Sequence, residues 1–158
     1  MEKYDYLLEE GKKDGIVKNV VGAVIVNEQG KILIMSRKED DFMGGIDELP
    51  SGNMENGEDI VTSLSREIKE ETNCNMKEIL YYITSFDYKS GSGKKARQYN
   101  FAITVTGTDN IILTEHDAYS WKNTEEILHS NKITPEVKEV IKKYIDIDEE
   151  AMDVITEK

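Results

Sequence analysis

Cysteine is nearly absent from this chain. Cys74 stands alone, so no internal disulfide can form, and no Cys/His cluster has the spacing of a zinc site. Long apolar runs are missing as well. No stretch approaches the length a membrane span needs, and Met1 leads into Glu2, Lys3 and Asp5 rather than into a signal-peptide core. These absences predict a protein of a reducing cytoplasm, neither secreted nor inserted in a membrane. Positive charge is scarce: Lys and Arg number 20 against 32 Asp and Glu, a formal net charge of -12. Nucleic acid polymers bind proteins largely through Lys and Arg that neutralise phosphates, so they are poor partners for such a chain. A small phosphorylated ligand remains compatible if divalent ions bridge it to carboxylates.

What remains is the composition of a soluble globular domain, with 38% hydrophobic and 33% charged residues over 158 positions. That length is enough to bury a core without disulfides or a structural metal. Residues 20–26 and 32–36 are apolar, partly β-branched runs separated by Asn27-Glu28-Gln29-Gly30, a pattern that predicts a β-hairpin. Residues 38–57 contain Gly44, Gly45, Pro50, Gly52 and Gly57 and read as a shaped loop with a short extended piece near Glu48 and Leu49. Residues 59–72 lack both Gly and Pro, and Ile60, Val61, Leu64 and Ile68 recur at helical spacing. Residues 79–88 and 97–106 flank Ser90-Gly91-Ser92-Gly93 and predict a second hairpin, with Tyr99, Phe101, Ile103 and Val105 on its core face. Thr134-Pro135 opens a terminal helix whose apolar stripe is Val137, Val140, Ile141, Tyr144 and Ile145. The expected division is an N-terminal segment over 1–16, strand or short helix, one domain over 17–146, and a frayed acidic tail over 147–158.

The chemistry concentrates in Arg66-Glu67-Ile68-Lys69-Glu70-Glu71. At ~100° per residue, Glu71 falls ~40° to one side of Glu67 and Glu70 ~60° to the other, so the three carboxylates share one strip. Like charges at these spacings oppose the helix by roughly 0.2 to 0.5 kcal/mol per pair unless something screens them. A hard dication does so, since magnesium and manganese prefer oxygen ligands. A solvated acidic face is the plainer explanation of charge pattern alone.

The surrounding spacing favours the ion. Gly52-Asn53-Met54-Glu55-Asn56-Gly57-Glu58, seven further residues, then Arg66-Glu67-Ile68-Lys69-Glu70-Glu71-Thr72-Asn73-Cys74 closely resembles the box of the MutT-like Nudix hydrolases, G-x5-E-x7-R-E-U-x-E-E-x-G-U with U apolar. Asn73 replaces the final glycine, and Asn is the next best residue for a left-handed helix end. Ser51 stands where many members have a second glycine. The resemblance extends over roughly 17–145. It implies an α/β fold, the Nudix α/β/α sandwich around a mixed β-sheet.

The resemblance also implies an activity: metal-dependent hydrolysis of a diphosphate bond in a nucleoside di- or triphosphate derivative, by water attack at phosphorus with Mg2+ or Mn2+. Glu67 and Glu71 are the implied metal ligands. Glu70 is a third ligand or the base that activates water, and Ser51 lends a backbone carbonyl. Arg66 and Glu58, ~80° apart by helical arithmetic and pointing away from the metal strip, are expected to pair and hold the loop to the helix. Glu115, beside His116 in an expected loop before Trp121, lies where some members place another base or ligand; an ordinary polar loop is the alternative. His129 reads as a cap at the end of a short helix over 124–128. Lys89, Lys94, Lys95 and Arg97 either reach distal phosphates or form a solvated hairpin tip, and Phe86, Tyr88 and Tyr99 either stack on a base or belong to the core. The apolar hairpins could build a homodimer. A different class of function, a Nudix domain that senses a nucleotide without cleaving it, would be expected to lose box glutamates that are intact here.

Overall fold

A computed structural model of the chain describes residues 3–38 and 45–156. Residues 39–44 of the expected loop, Gly44 among them, and the ends of the terminal segments at 1–2 and 157–158 lie outside the described residues. The elements run α1 (Asp5–Lys13), β1 (Lys18–Ile25), β2 (Ile32–Arg37), β3 (Asp47–Glu48), β4 (Ser51–Asn53), α2 (Ile60–Thr72), β5 (Asn75–Lys89), β6 (Lys95–Thr106), a 3-10 turn (Thr108–Asn110), β7 (His116–Lys122), α3 (Thr124–His129) and α4 (Pro135–Thr156). Two sheets form, in the orders β4-β1-β6-β5 and β3-β2-β7. β1 is parallel to β6 and antiparallel to β4, so the first sheet is mixed. A parallel pair needs a long crossover, and α2 lies within it.

Helices cover both faces. On one side Tyr4 at the start of α1, Leu7 of α1, and Ile60, Leu64 and Ile68 of α2 pack on Val21, Ala23, Tyr99 and Phe101. On the other Val137, Val140, Ile141 and Tyr144 of α4 pack on Val24, Ile34, Ile83 and Ala102. This is the α/β/α sandwich. Tyr99, Phe101 and Ile103 face a core as expected, but Ala102 and Asn100 on the opposite face of β6 are equally buried, because that face carries the second core.

The first hairpin is corrected. Val26 bridges Ile32 and the Asn27 N–H donates to the Lys31 carbonyl, but beyond this turn β1 and β2 part into different sheets. From Val20 onward β1 is buried at every position, as are Ile32 to Met35 of β2. Strands covered on both faces read as continuous apolar runs and take partners from wherever the cores require. β5 and β6 do form the expected antiparallel hairpin. The N-terminal segment resolves as a helix, with the Tyr4 ring edge-on to Phe101 at 4.9 Å. The stretch expected to fray from 147 instead prolongs α4 to Thr156, and Ile147 packs against the second core. Among the described residues no helix is long and apolar enough to cross a membrane.

Candidate active site

The glutamate helix is fastened at both ends by its sequence. Asp59 caps it, accepting from the Thr62 N–H at 2.7 Å, and Asn73 closes it at φ 66, the sole non-glycine residue with positive φ among those described. The left-handed role expected of Asn73 is thus occupied, with its side-chain amide donating to the Asn110 carbonyl. Cys74 is buried behind it and plays no part in the cleft. Ile60, Leu64 and Ile68 anchor the opposite face of α2 in the core.

The acidic strip is graded from core to solvent. Glu71 is 6% exposed, the Glu67 side chain 13% and that of Glu70 57%. Among the described residues Glu71 accepts one hydrogen bond, from the Ser51 N–H at 3.1 Å. Burial, then the charge of Glu67, push its carboxyl up to about 8 against that N–H, with Glu115 and Glu48 adding to the rise. Burial also raises Glu67, partly offset by Arg66 and reinforced by Glu70 and Glu115. Gly52 lies directly under this second carboxylate. A Cβ built there would overlap the Glu67 carboxyl group, so the glycine is required by close approach rather than by backbone conformation.

Arg66 holds the assembly together. Its Nε and Nη2 donate to the two oxygens of Glu58 at 2.7 and 2.8 Å, and Nη2 also donates to the Asn53 carbonyl at 2.9 Å. Glu58 is drawn down to about 2 chiefly by these bonds. The pairing of Arg66 with Glu58 is as expected, but the direction is corrected. Nη1 donates to Glu67 at 2.8 Å and to Glu70 at 3.1 Å, so Arg66 leans onto the strip instead of away from it. The reason is the i,i+4 relation of Arg66 to Glu70, which puts them on one face. Glu58 precedes the cap, so helical arithmetic did not apply to it.

A cleft of about 580 Å³ opens beside the strip, lined by Ser51 and Gly52 on one side and by Glu48, Glu115, Phe86 and Gln98 elsewhere. Glu115 immediately precedes β7, and its charge reaches Glu67 and Glu71. The loop expected at His116 is strand, paired to β2. Sequence reasoning assigned no role to Glu48, Arg37 or His116. Burial raises the Glu48 carboxyl, but His116 at 3.7 Å and Arg37, which is hydrogen-bonded to it, outweigh burial and leave the group lowered. A carboxylate one residue from Leu49-Pro50-Ser51 was the available signal. Of the basic cluster, Arg97 is absorbed by Asp87 and Asp14, and Lys95 by the Asp14 carbonyl, while Lys89 stays at the cleft. Tyr99 belongs to the core, whereas Phe86 and Tyr88 line the cleft. His129 Nδ1 donates to the Glu125 carbonyl, 2.9 Å away, in the last turn of α3.

The donor set suits a hard dication. Among the described residues no three acidic, histidine or cysteine side chains converge as a closed cage. Magnesium characteristically uses one or two carboxylates and completes its octahedron with water and phosphate. Two adjacent carboxylates with a single backbone donor on the buried one are such a partial set.

Comparisons with known proteins bear on the family and the fold. The NUDIX domain profile matches residues 17–144. The fold is similar to that of the E. coli ORF135 protein (TM-score 0.72, 23% identity, covering 86% of this chain and 94% of that one). A MutT protein from Methanosarcina mazei Go1 gives a TM-score of 0.69 at 24% identity, covering 85% and 97%. A C. elegans Ap4A hydrolase, solved as a binary complex, gives 0.67 at 22%, covering 83% and 97%. No curated protein matches the chain. Fold and profile together define a hydrolase that acts on phosphoric anhydrides. The chain belongs to the Nudix family.

Proposed function

We propose that this enzyme is a divalent-metal-dependent pyrophosphohydrolase of small nucleoside di- or triphosphate derivatives. Glu67 and Glu71 would hold Mg2+, or Mn2+, with the Ser51 carbonyl and Glu70 completing the protein's share. The observation that carries the reading is the pair itself: Glu71 is buried against Glu67 and has, among the described residues, one hydrogen-bond donor, the Ser51 N–H. Such a pair costs folding energy and is kept where a cation compensates it. Bound there, the metal would polarise phosphoryl oxygens and acidify water.

The chain's own groups do the rest. Water adds to phosphorus, the anhydride P–O bond breaks, and the proton released passes to a carboxylate. Glu70 on the exposed end of the strip and Glu115 at the cleft are the candidates for that proton. Arg66 orients Glu67 and Glu70 while binding Glu58, so it is a positioning residue together with Glu58. Lys18 and Lys89 at the cleft supply cations for a polyphosphate. A net charge of -12 sets the protein against nucleic acid polymers, and a single buried free thiol suits a reducing cytoplasm.

The test is release of phosphate or pyrophosphate from nucleoside triphosphates, dinucleoside polyphosphates and nucleotide sugars, with magnesium, manganese or chelator. Turnover of some members that chelator abolishes is the expected result. Tight metal-dependent nucleotide binding with no turnover on the whole panel would establish a nucleotide sensor instead.

A further inference from the structure

The floor of the cleft contains a polar device that the hydrolytic machinery does not use. Strand register sets Asn53 of β4, Val20 of β1, Gln98 of β6 and Phe86 of β5 in one row across the sheet, and all of them line the cleft. Gln98 is 8% exposed and its neighbour on the same face, Asn100, is fully buried. The Asn100 amide donates to the Thr84 carbonyl at 3.1 Å and to the Gln98 carbonyl at 3.3 Å, which leaves its oxygen as an acceptor. That oxygen takes the Gln98 Nε2 proton at 2.8 Å. The chain of bonds fixes which end of the Gln98 side chain is nitrogen. Its Oε1 therefore stands as an acceptor with no hydrogen bond among the described residues. Gly22 secures the arrangement: a Cβ there would overlap the Asn100 amide oxygen and crowd the Gln98 nitrogen, although the glycine has no unusual φ.

A carboxamide locked at one end and open to the cleft at the other presents an acceptor of fixed position, which a ligand donor can take in place of water. The row also sets its reach. Gln98 lies two strand spacings, roughly 10 Å, from β4, where Ser51 and Gly52 contact the carboxylates. A ribose and a base fill such a span between a phosphate and the far edge of the ring. Phe86, directly across from Gln98 in the ladder and half-buried, offers apolar surface for the ring.

We propose that Gln98 Oε1 is the base-reading acceptor of this enzyme, taking a ring N–H or exocyclic amino proton of a nucleobase whose phosphates lie at Glu67 and Glu71. The proposal rests on the nucleotide pyrophosphohydrolase reading above. It makes the substrate class a nucleotide with a hydrogen-bond-donating base edge, and it makes base selectivity a property of Gln98 held by Asn100 and Gly22.

The experiment compares, for wild type and Gln98→Met, the best-cleaved nucleoside triphosphate, the same nucleotide methylated in turn at each base N–H, and base-free ribose triphosphate. Wild type should prefer the parent over ribose triphosphate by at least about tenfold in kcat/KM, and at least one methylated analogue should lose a similar factor. Gln98→Met should raise KM for the parent about 10- to 100-fold at little-changed kcat, and change ribose triphosphate by less than about threefold. The methylated substrates test the idea on the unmodified protein, independently of how the variant folds. Equal turnover of parent, methylated and base-free substrates would overturn the base-reading role and leave the hydrolase reading standing. An equal loss by Gln98→Met on parent and base-free substrates would show Gln98 to be structural and overturn it too. No turnover of any nucleotide would instead bring down the underlying reading, and this proposal with it.

Discussion

Replacing Glu71 by Gln should make the metal-free protein more stable and at the same time abolish its response to magnesium. Glu71 is 6% exposed, and its carboxyl is pushed up to about 8 from an ordinary 4.5, first by burial and next by Glu67. A carboxyl raised in the folded state costs nothing below its unfolded value, where both states are protonated. The cost grows as pH rises from 4.5 and is complete above about 8. Near pH 7 the folded protein has taken up most of that difference, about 3 kcal/mol at ~1.4 kcal/mol per pH unit. Glutamine keeps an acceptor for the Ser51 N–H but buries an amide NH2, so a net gain of about 1 to 3 kcal/mol is expected. For a domain of this size that is a Tm increase of about 2 to 10 °C. Thermal melts in chelator should show this gain near neutral pH and lose it as the medium approaches pH ~4, the window set by the raised carboxyl. Added magnesium should raise the Tm of wild type and leave the variant unmoved, since only a ligand that binds the folded state shifts the transition. A Glu71→Gln protein that melts below wild type in chelator at neutral pH, or that keeps the magnesium shift, would refute the reasoning.

Other perturbations probe the supports of the strip. Gly52→Ala should displace the Glu67 carboxylate and cut turnover at least about tenfold; the contact it disturbs is a carboxyl terminus rather than backbone, so the melting point should move little. Arg66→Lys cannot reproduce the fork that binds Glu58, Glu67 and Glu70 together, and a loss of about 1 to 3 kcal/mol by chemical denaturation should accompany reduced activity. Asn73→Gly should leave activity within about twofold, whereas Asn73→Val, forced to φ 66, should lose about 1 to 2 kcal/mol. A large gain in activity on the glycine change would show that Asn73 strains the helix end.

Much of this was legible because local chemistry and tertiary demand agreed. Asp59, the Ile60-Leu64-Ile68 stripe and Asn73 each specify α2 on their own terms, and the box spacing gathers Glu67, Glu70 and Glu71 on one face whatever packs beneath. The strands were harder. β1 and β2 are buried on both faces, so their apolar runs state that they are strands but not which neighbours they take, and a turn-prone insert between them suggested a ladder that exists only at Val26 and Ile32. Glu48 and Gln98 were invisible for a related reason. Each depends on residues far away in sequence, Glu48 on Arg37 and His116, and Gln98 on Thr84, which anchors its neighbour Asn100, and on the room left by Gly22. The polar end of α4 misled in the opposite direction. A helix already fixed by Val137, Val140, Ile141 and Tyr144 can propagate through residues with no core of their own, because each added residue needs only one more backbone bond.

The supports of α2 also explain how the chain tolerates a strip that opposes its own folding. The helix gains its stability from places the carboxylates do not touch: a capped start, a left-handed end and a core face of Ile60, Leu64 and Ile68. Arg66 then spreads one positive charge over Glu58, Glu67 and Glu70 and offsets part of the repulsion there, whereas Glu71, which it does not reach, has no such offset. That residue is the deepest of the strip and the one held by backbone of β4, a strand paired to the middle of the sheet at Val20, Val21 and Gly22. The least compensated charge is therefore attached to backbone that its ladder with β1 holds in place. A flexible mounting would let the carboxylate turn away to solvent and recover its hydration, whereas this one keeps it in place with its demand for a cation unmet by the polypeptide.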